Sequence, residues 1–187
     1  MQVLIIDNKD SFTYNLAHYV QQFTDNIDVF RPCDIAINQI SKYTKIILSP
    51  GPGLPNEHPI LKQLLKVYAN KKSILGICLG HQGIAEYFGA TLENLTLVKH
   101  GVSSKINQCN NCSIFNDLPN TFQIGHYHSW VVSKEKFPKC LEITSENDED
   151  IITSFKHKEF DVKGIQFHPE SILTEHGLKI IKNWLFS

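Results

Sequence analysis

The segment SILGICLGHQG, at residues 73–83, places a cysteine directly after a short apolar run. Gly76 and Gly80 lie two residues to either side of Cys78, and this G-x-C-x-G pattern is the thiol counterpart of the G-x-S-x-G nucleophile elbow. Glycines there avoid the collisions that a very tight strand-to-helix turn would cause, and a helix beginning near Leu79 would favour a thiolate at its amino end. The pattern indicates a nucleophilic thiol, with a buried structural cysteine as the alternative.

A thiol nucleophile requires a base, and His168 has the context for that role. In the segment GIQFHPES an apolar run ends at His168, Pro169 stops it and Glu170 follows. The carboxylate of Glu170 can orient one imidazole nitrogen while the other nitrogen faces the thiol, as in nucleophile–base–acid triads. The chain has nine histidines, so these residues alone also fit a surface histidine that precedes an unrelated glutamate.

The segment SPGPG, at residues 49–53, holds two prolines and two glycines in five residues, which predicts an unusual backbone path. Such a loop can direct amide groups toward the oxyanion that forms when a nucleophile attacks a carbonyl group. Pro50 and Pro52 have no N–H group, so Gly51 and Gly53 are the candidate donors. A plain turn is the alternative interpretation.

Continuous apolar runs precede three polar loops that begin at Asp7, Ser49 and Cys78. The runs are Val3–Ile6, Ile46–Leu48 and Ile74–Ile77. Such runs are typical of strands buried on both faces of a parallel sheet, and amphipathic stretches between them predict helices. Because ligands bind at the carboxyl ends of parallel strands, we expect the three loops at one edge of the sheet.

The second part of the chain has a different pattern. From about residue 91 to residue 170, short β-rich segments separated by polar turns favour antiparallel strands, and a last amphipathic helix follows Thr174. No linker separates the two parts. The sequence therefore predicts one α/β domain with a mixed sheet.

The composition limits the classes of function. The chain has 187 residues, 42% of them hydrophobic and 20% charged, which is typical of one globular domain. A net charge of −1 without a basic block argues against a nucleic-acid partner. The four-residue apolar run near the N-terminus is too short for a signal peptide or a membrane span, so we expect no membrane partner and a cytoplasmic location.

The other cysteines and histidines give weaker signals. Five irregularly spaced cysteines do not suggest a disulfide framework. Cys109 and Cys112, in CNNC, are compatible with half of a zinc site, but no second ligand pair stands at finger-like spacing, so we expect no metal and place this segment at a surface hairpin tip. We expect His81, which is close to the elbow, to point into the helix packing rather than act as the base.

SPGPG, GICLGHQ and FHPES, in this order and at these separations, resemble the class I (triad) glutamine amidotransferases. The opening IDNKDSFTYNL narrows the resemblance to the glutaminase subunits of chorismate-using synthases, and KHG (residues 99–101) and HYHS (residues 126–129) also fit. The resemblance covers essentially the whole chain. It implies one amidotransferase domain over residues 1–187, with a flavodoxin-like three-layer α/β fold in which a mixed, mostly parallel sheet carries helices on both faces.

The resemblance also implies hydrolysis of L-glutamine without a cofactor in this subunit. Cys78 would form a γ-glutamyl thioester, His168 would move protons and Glu170 would orient His168. The implied substrate-binding residues, which include the oxyanion donors, are Gly51, Pro52, Gly53, Leu79, Gln82, Ser129 and Trp130. Trp130 stands where the family usually has leucine, which matters little if that contact uses the backbone.

The implied partner is a chorismate-binding synthase subunit that receives the ammonia. The segments expected to face it are Asp10–Asn15 and Lys99–Gly101, and Val102 replaces a usual lysine. Anthranilate synthase, in tryptophan biosynthesis, is the favoured assignment. Aminodeoxychorismate synthase in folate biosynthesis, or one subunit shared by both, is the alternative. A stand-alone cysteine hydrolase and a non-catalytic binding module are further alternatives, which the DSFTYN loop and the intact Cys-His-Glu set respectively disfavour.

Overall fold

The computed structural model describes residues 1–187 and contains nine strands and four α-helices. The strands are β1 (Val3–Ile6), β2 (Ile27–Phe30), β3 (Lys45–Leu48), β4 (Ser73–Ile77), β5 (Leu92–Gln108), β6 (Thr121–Val132), β7 (Leu141–Asn147), β8 (Ile152–His157) and β9 (Val162–Ile165). The helices are α1 (Thr13–Gln21), α2 (Pro59–Tyr68), α3 (Leu79–Tyr87) and α4 (Gly177–Leu185). None of the helices has both the length and the apolar character that crossing a lipid bilayer requires.

All nine strands form one sheet in the order β2-β1-β3-β4-β9-β8-β7-β5-β6. The strands from β2 to β9 in this order pair in parallel, and those from β9 to β6 pair antiparallel. The predicted α/β fold with a mixed sheet is therefore confirmed. β9, which follows the antiparallel strands in the chain, returns to pair with β4, and this pairing brings residues 78 and 168 to the same edge of the sheet.

The core lies on both faces of the parallel strands because their side chains alternate between the two faces. One face packs against α2 and α3, through residues that include Leu48 and Leu64. The opposite face packs against α1 and α4, through residues that include Ile47, Leu16 and Trp184. Burial on both faces explains why these strands read as continuous apolar runs in the sequence.

The antiparallel half differs from the prediction in the lengths of β5 and of β6, which has 12 residues. β5 is 17 residues long and forms an extended hairpin with β6, whereas the sequence indicated only short segments. Most side chains of β5 are half-buried or exposed, and the pairing is irregular between Asn94 and Lys99 and between His100 and Val102. A strand without a buried face lacks the alternation on which a strand prediction depends.

The expectation for the CNNC segment is wrong at Cys112. The segment follows the end of β5, and Cys109 is exposed, but Cys112 is buried in the core that packs against α1 and α4. Burial raises the pKa of the Cys112 thiol, so this residue behaves as a small apolar side chain.

Candidate active site

Cys78 lies on a sharp turn between β4 and α3. Its backbone has φ 50° and ψ −101°, a conformation that costs a non-glycine residue about 1–3 kcal/mol. A Cβ atom on Gly80 would lie 2.2 Å from the carbonyl oxygen of Leu48, and one on Gly76 would lie 2.5 Å from the backbone of Gly80. Both flanking glycines are therefore required by contact with neighbouring backbone, as the elbow pattern predicts.

His168 and Glu170 follow β9, the parallel neighbour of β4. The amide of Cys78 donates to the carbonyl of Ile165 across this pair at 2.9 Å, which fixes the elbow beside the histidine loop. His168 Nδ1 lies 2.7 Å from Glu170 Oε1, and both side chains are almost completely buried. The other imidazole nitrogen, Nε2, has no nitrogen or oxygen partner within the protein.

The electrostatics of His168 link it to the thiol. Burial on its own would lower the pKa of His168, but the hydrogen bonds and charges of Cys78 and Glu170 outweigh burial and hold the pKa well above 6.5. The imidazole of His168 therefore holds its proton more strongly than an unperturbed histidine does, which suits a general acid beside a nucleophile.

Gln166 is a contact of the thiol to which the sequence analysis assigned no role. Its amide nitrogen lies 3.6 Å from the sulfur of Cys78, and its amide oxygen accepts a hydrogen bond from Gln82 at 3.2 Å. Gln82 also donates to the carbonyl of Trp130 at 2.8 Å. A fully buried glutamine in the otherwise apolar segment GIQF was the available signal, because buried polar side chains require partners.

A cavity of about 210 Å³ opens beside the thiol. Its lining consists of Gly51, Pro52, Gly53, Cys78, Leu79, Gln82, Val98, His100, Tyr127, His128, Ser129 and Trp130. The structure thus brings all seven predicted substrate-binding residues together with the cysteine. Val98, His100, Tyr127 and His128 belong to the β5–β6 hairpin.

A second cavity, of about 350 Å³, lies next to both Cys78 and His168. Its lining consists of Lys9, Asp10, Ser11, Phe12, Pro50, Gly51, Pro52, Cys78, His100, Tyr127 and His168. Five residues, Cys78 among them, line both cavities. The thiol therefore lies at the junction of two openings.

Three histidines near the site are buried and neutral. Burial lowers the pKa of His81 and of His128 to about 3, and that of His126 to about 4. His81 packs on the ring of Phe155, with ring centres 4.5 Å apart, rather than facing the thiol, as the sequence analysis expects. His126 Nδ1 lies 3.0 Å from His128 Nε2, so one proton is shared between these rings.

One group of side chains offers three possible metal ligands: Asp10, His168 and Glu170, whose ligand atoms lie within 4.8 Å of one another. His168 and Glu170 already bind each other through the 2.7 Å contact. The arrangement therefore serves an oriented imidazole beside a thiol, which is suited to acyl transfer.

The sequence matches the family model described as glutamine amidotransferase class-I over residues 4–187. A Haemophilus influenzae protein, named provisionally as an anthranilate synthase component II, is 45% identical over 185 residues, covering 99% of this chain and 96% of the relative. Anthranilate synthase component 2 of Pseudomonas aeruginosa is 40% identical over 190 residues, covering 98% and 94%. Aminodeoxychorismate synthase component 2 of Escherichia coli K12 is 38% identical over 185 residues, covering 98% of both chains.

A solved structure from Thermoplasma acidophilum, named provisionally as part of a GMP synthase, superposes with a TM-score of 0.89 at 22% identity. The match covers all of this chain and 92% of the other. At that identity the likeness concerns the fold alone.

Proposed function

We propose that this chain, which belongs to the class I glutamine amidotransferase family, is the glutaminase subunit of anthranilate synthase. In this function it hydrolyses L-glutamine at Cys78 and supplies ammonia to a chorismate-binding synthase subunit. The observation that carries the proposal is the meeting of Cys78 with the His168–Glu170 pair at the junction of two cavities.

The first half of the reaction uses the thiolate and the imidazolium. The sulfur of Cys78 attacks the side-chain carbonyl carbon of glutamine, and the carbonyl oxygen becomes an oxyanion. The imidazolium of His168 then gives its proton to the amide nitrogen as the carbon–nitrogen bond breaks, which releases ammonia and leaves a γ-glutamyl thioester. Glu170 keeps the imidazole oriented through Nδ1.

The second half returns the enzyme to its starting state. Neutral His168 takes a proton from a water molecule as that water attacks the thioester carbonyl. The carbon–sulfur bond breaks, glutamate leaves, and the thiolate and imidazolium are restored. These steps require only this chain and water.

Backbone amides are the proposed oxyanion donors. Leu79 is the first residue of α3, and the amide of a first helical residue has no partner within its helix. The amides of Gly51 and Gly53 donate to no backbone or side-chain acceptor in the protein. These three residues line the 210 Å³ cavity beside the sulfur, where donors are required.

The 210 Å³ cavity is the proposed glutamine site. Gln82, Ser129 and Trp130 line this cavity, and they are the residues proposed to hold the amino and carboxylate groups of the substrate. Gln82 engages Trp130 through its backbone carbonyl, which every residue type provides. A tryptophan in place of the usual leucine is compatible with that contact.

The 350 Å³ cavity is the proposed route toward the synthase subunit. Both predicted partner segments contribute to it, Asp10–Asn15 through its first three residues and Lys99–Gly101 through His100. Large apolar side chains are exposed within or next to these segments and in the loop that carries His168; they are Tyr14, Leu97, Val98, Val102 and Ile172. Exposed apolar surface around a cavity is typical of a protein–protein contact.

The test uses the complex of this chain with its synthase subunit, chorismate, and either glutamine or ammonium. Cys78→Ser should abolish glutamine-dependent product formation while the ammonium-dependent reaction remains, because only the first uses the thiol. Residual glutamine-dependent activity in the variant would contradict the assignment of Cys78. Full glutaminase activity of the isolated wild-type chain would favour a stand-alone hydrolase.

Aminodeoxychorismate synthase is the second candidate. The observation that favours it is the 38% identity to the Escherichia coli component over 98% of both chains. Identification of the product, as anthranilate or as aminodeoxychorismate, with the synthase that co-purifies from the native organism separates the two assignments. Activity with both synthases would identify a shared subunit.

A further inference from the structure

The loop Ser49–Gly53 contains two peptide bonds whose amides belong to glycine, Pro50–Gly51 and Pro52–Gly53. A trans peptide is planar, and its carbonyl and amide groups point in opposite directions. The chain has no cis peptide bonds. A side chain that holds the carbonyl of Pro50 or Pro52 on one side therefore directs the following glycine amide to the other side.

The carbonyl of Pro50 is held by Ser49. The hydroxyl of Ser49 donates to this carbonyl at 2.6 Å. The hydroxyl oxygen of Ser49 in turn accepts a hydrogen bond from the backbone amide of Asn8 at 2.9 Å. Because the amide of Asn8 can only donate, the single hydroxyl proton of Ser49 is left to point at Pro50. The side-chain amide of Asn8 also donates to the carbonyl of Ser49 at 3.0 Å.

The carbonyl of Pro52 is held by His58. His58 Nε2 lies 2.9 Å from this oxygen, and since a carbonyl only accepts, Nε2 carries the proton. The next residue, Gly53, has φ 75°, a backbone conformation that favours glycine. His58 stands outside the 210 Å³ cavity, on the far side of the loop from the thiol.

Packing prevents the first of these peptides from turning over. A Cβ atom on Gly51 would lie 2.7 Å from Asn8 and 2.7 Å from Leu79, so there is little space around this backbone. Ser49 and Asn8 are fully buried, and no water competes for their hydrogen bonds. The two proline carbonyls of the loop are thus held by hydrogen bonds, while the amides of Gly51 and Gly53 have no acceptor within the protein.

We infer that Ser49 and His58 are positioning residues that fix the Pro50–Gly51 and Pro52–Gly53 peptide planes, so that both glycine amides face the oxyanion. This inference rests on the proposed function. Neither side chain touches the substrate. Their effect is confined to the step in which negative charge develops on oxygen, and it leaves glutamine binding and the nucleophilicity of Cys78 unchanged.

The test compares His58→Leu, His58→Gln and Ser49→Ala in the presence of chorismate and the synthase subunit, with glutamate release as the readout. His58→Leu and Ser49→Ala should lower kcat at least about tenfold. Complete loss of one oxyanion donor lowers kcat about 10²–10³-fold, and a donor that is no longer held in one orientation should cause part of that loss. KM for glutamine should stay within about twofold. His58→Gln retains an N–H donor and should recover most of the activity.

Alkylation of Cys78 by iodoacetamide provides a readout that a general structural defect would change. This substitution at carbon forms no oxyanion, so its rate should be equal in wild type, His58→Leu and Ser49→Ala. Asn56→Ala, an exposed change in the same loop region, is the matched control and should keep full kcat. The ammonium-dependent reaction reports that each variant still assembles with the synthase.

Three outcomes would overturn the inference: an unchanged kcat in both His58→Leu and Ser49→Ala, a raised KM with normal kcat, or a fall in the alkylation rate that parallels the fall in kcat. His58 is half-buried and lies on the surface side of the loop, so its variants decide the question even if Ser49→Ala does not fold. Failure of the proposed function is distinguishable, because the wild-type complex would then release no glutamate.

Discussion

Cys78 combines three features at one residue. Its φ is positive, its side chain is largely buried, and its sulfur is contacted by Gln166 on one side and coupled to His168 on another. The positive φ costs stability, and all three features are useful to a nucleophile that one small molecule must reach and from which others are shielded. The glycines around it make this conformation possible.

The backbone geometry at the elbow predicts that alanine substitution lowers stability far more at one glycine of α3 than at another. Gly80→Ala should lower the free energy of unfolding by about 3 kcal/mol or more, because its Cβ would lie 2.2 Å from backbone that cannot move away. Gly83→Ala is the matched control. Its Cβ would meet the end of the flexible Leu61 side chain at 2.9 Å, and alanine favours the helix. Urea unfolding measures both, and equal losses would contradict a backbone clash at the elbow.

At the scale of elements, the site depends on parallel pairing of β4 with β9. The two strands are separated by more than eighty residues, and the antiparallel half of the sheet is built from that intervening chain. β6 supplies one wall of the 210 Å³ cavity and also contacts the loop that carries His168. The connection between β6 and this loop is therefore the element contact on which the geometry of the triad most depends.

Thr174 makes that connection with one hydroxyl group. It donates to the carbonyl of His168 at 2.6 Å and accepts the amide of Gly125, on β6, at 2.9 Å. Thr174→Val has the same shape and leaves the buried amide of Gly125 without an acceptor, while the carbonyl of His168 keeps only the hydrogen bond from the amide of Ser171 at 3.2 Å. The free energy of unfolding should therefore fall by about 2 kcal/mol. Thr121→Val, at an exposed position of β6, should change it by less than about 0.5 kcal/mol. Similar losses at the two positions would count against the connection.

The sequence predicts the parallel half and the chemistry well for a physical reason. Strands buried on both faces are continuous apolar runs, and the elbow glycines are imposed by contacts within a few residues and with the next strand. The β5–β6 hairpin was not predicted at its full length because most side chains of β5 are exposed. Ser49 and His58 were missed because their role depends on which way two peptide planes face, and residue types do not record that.

At the scale of the whole molecule, the buried histidines make folding sensitive to acid. His81, His126 and His128 lie inside the fold as neutral rings, with pKa values of about 3 to 4. In the unfolded chain a histidine takes up its proton near pH 6.5. Between pH 6.5 and about 4 the unfolded state therefore binds more protons than the folded state, so stability falls as the pH falls.

The pKa of His168 is shifted in the opposite direction, but this shift does not offset the loss of stability in acid. Its pKa is raised in the fold, so the stability that it contributes is complete below pH 6.5 and is lost only as the pH rises through its folded value. Below pH 6.5 His168 is protonated in both states and adds no slope. The loss of stability between pH 6.5 and about 4 therefore reflects the three neutral histidines together with the carboxyl groups. A variant of a single histidine separates the share of that histidine from the rest.

His81 offers that comparison because it packs on Phe155 without a side-chain partner. His81→Phe keeps an aromatic ring in this position and removes the titrating group. The free energy of unfolding of wild type should fall by about 2 kcal/mol more than that of the variant between pH 6.5 and pH 4.5, since each missing proton costs about 1.4 kcal/mol per pH unit. Gln21→Ala, at an exposed position of α1, changes no titrating group and should keep the wild-type slope. Urea unfolding at the two pH values measures the difference. If His81→Phe retains the full wild-type slope, His81 is charged in the folded protein and the acid sensitivity has another origin.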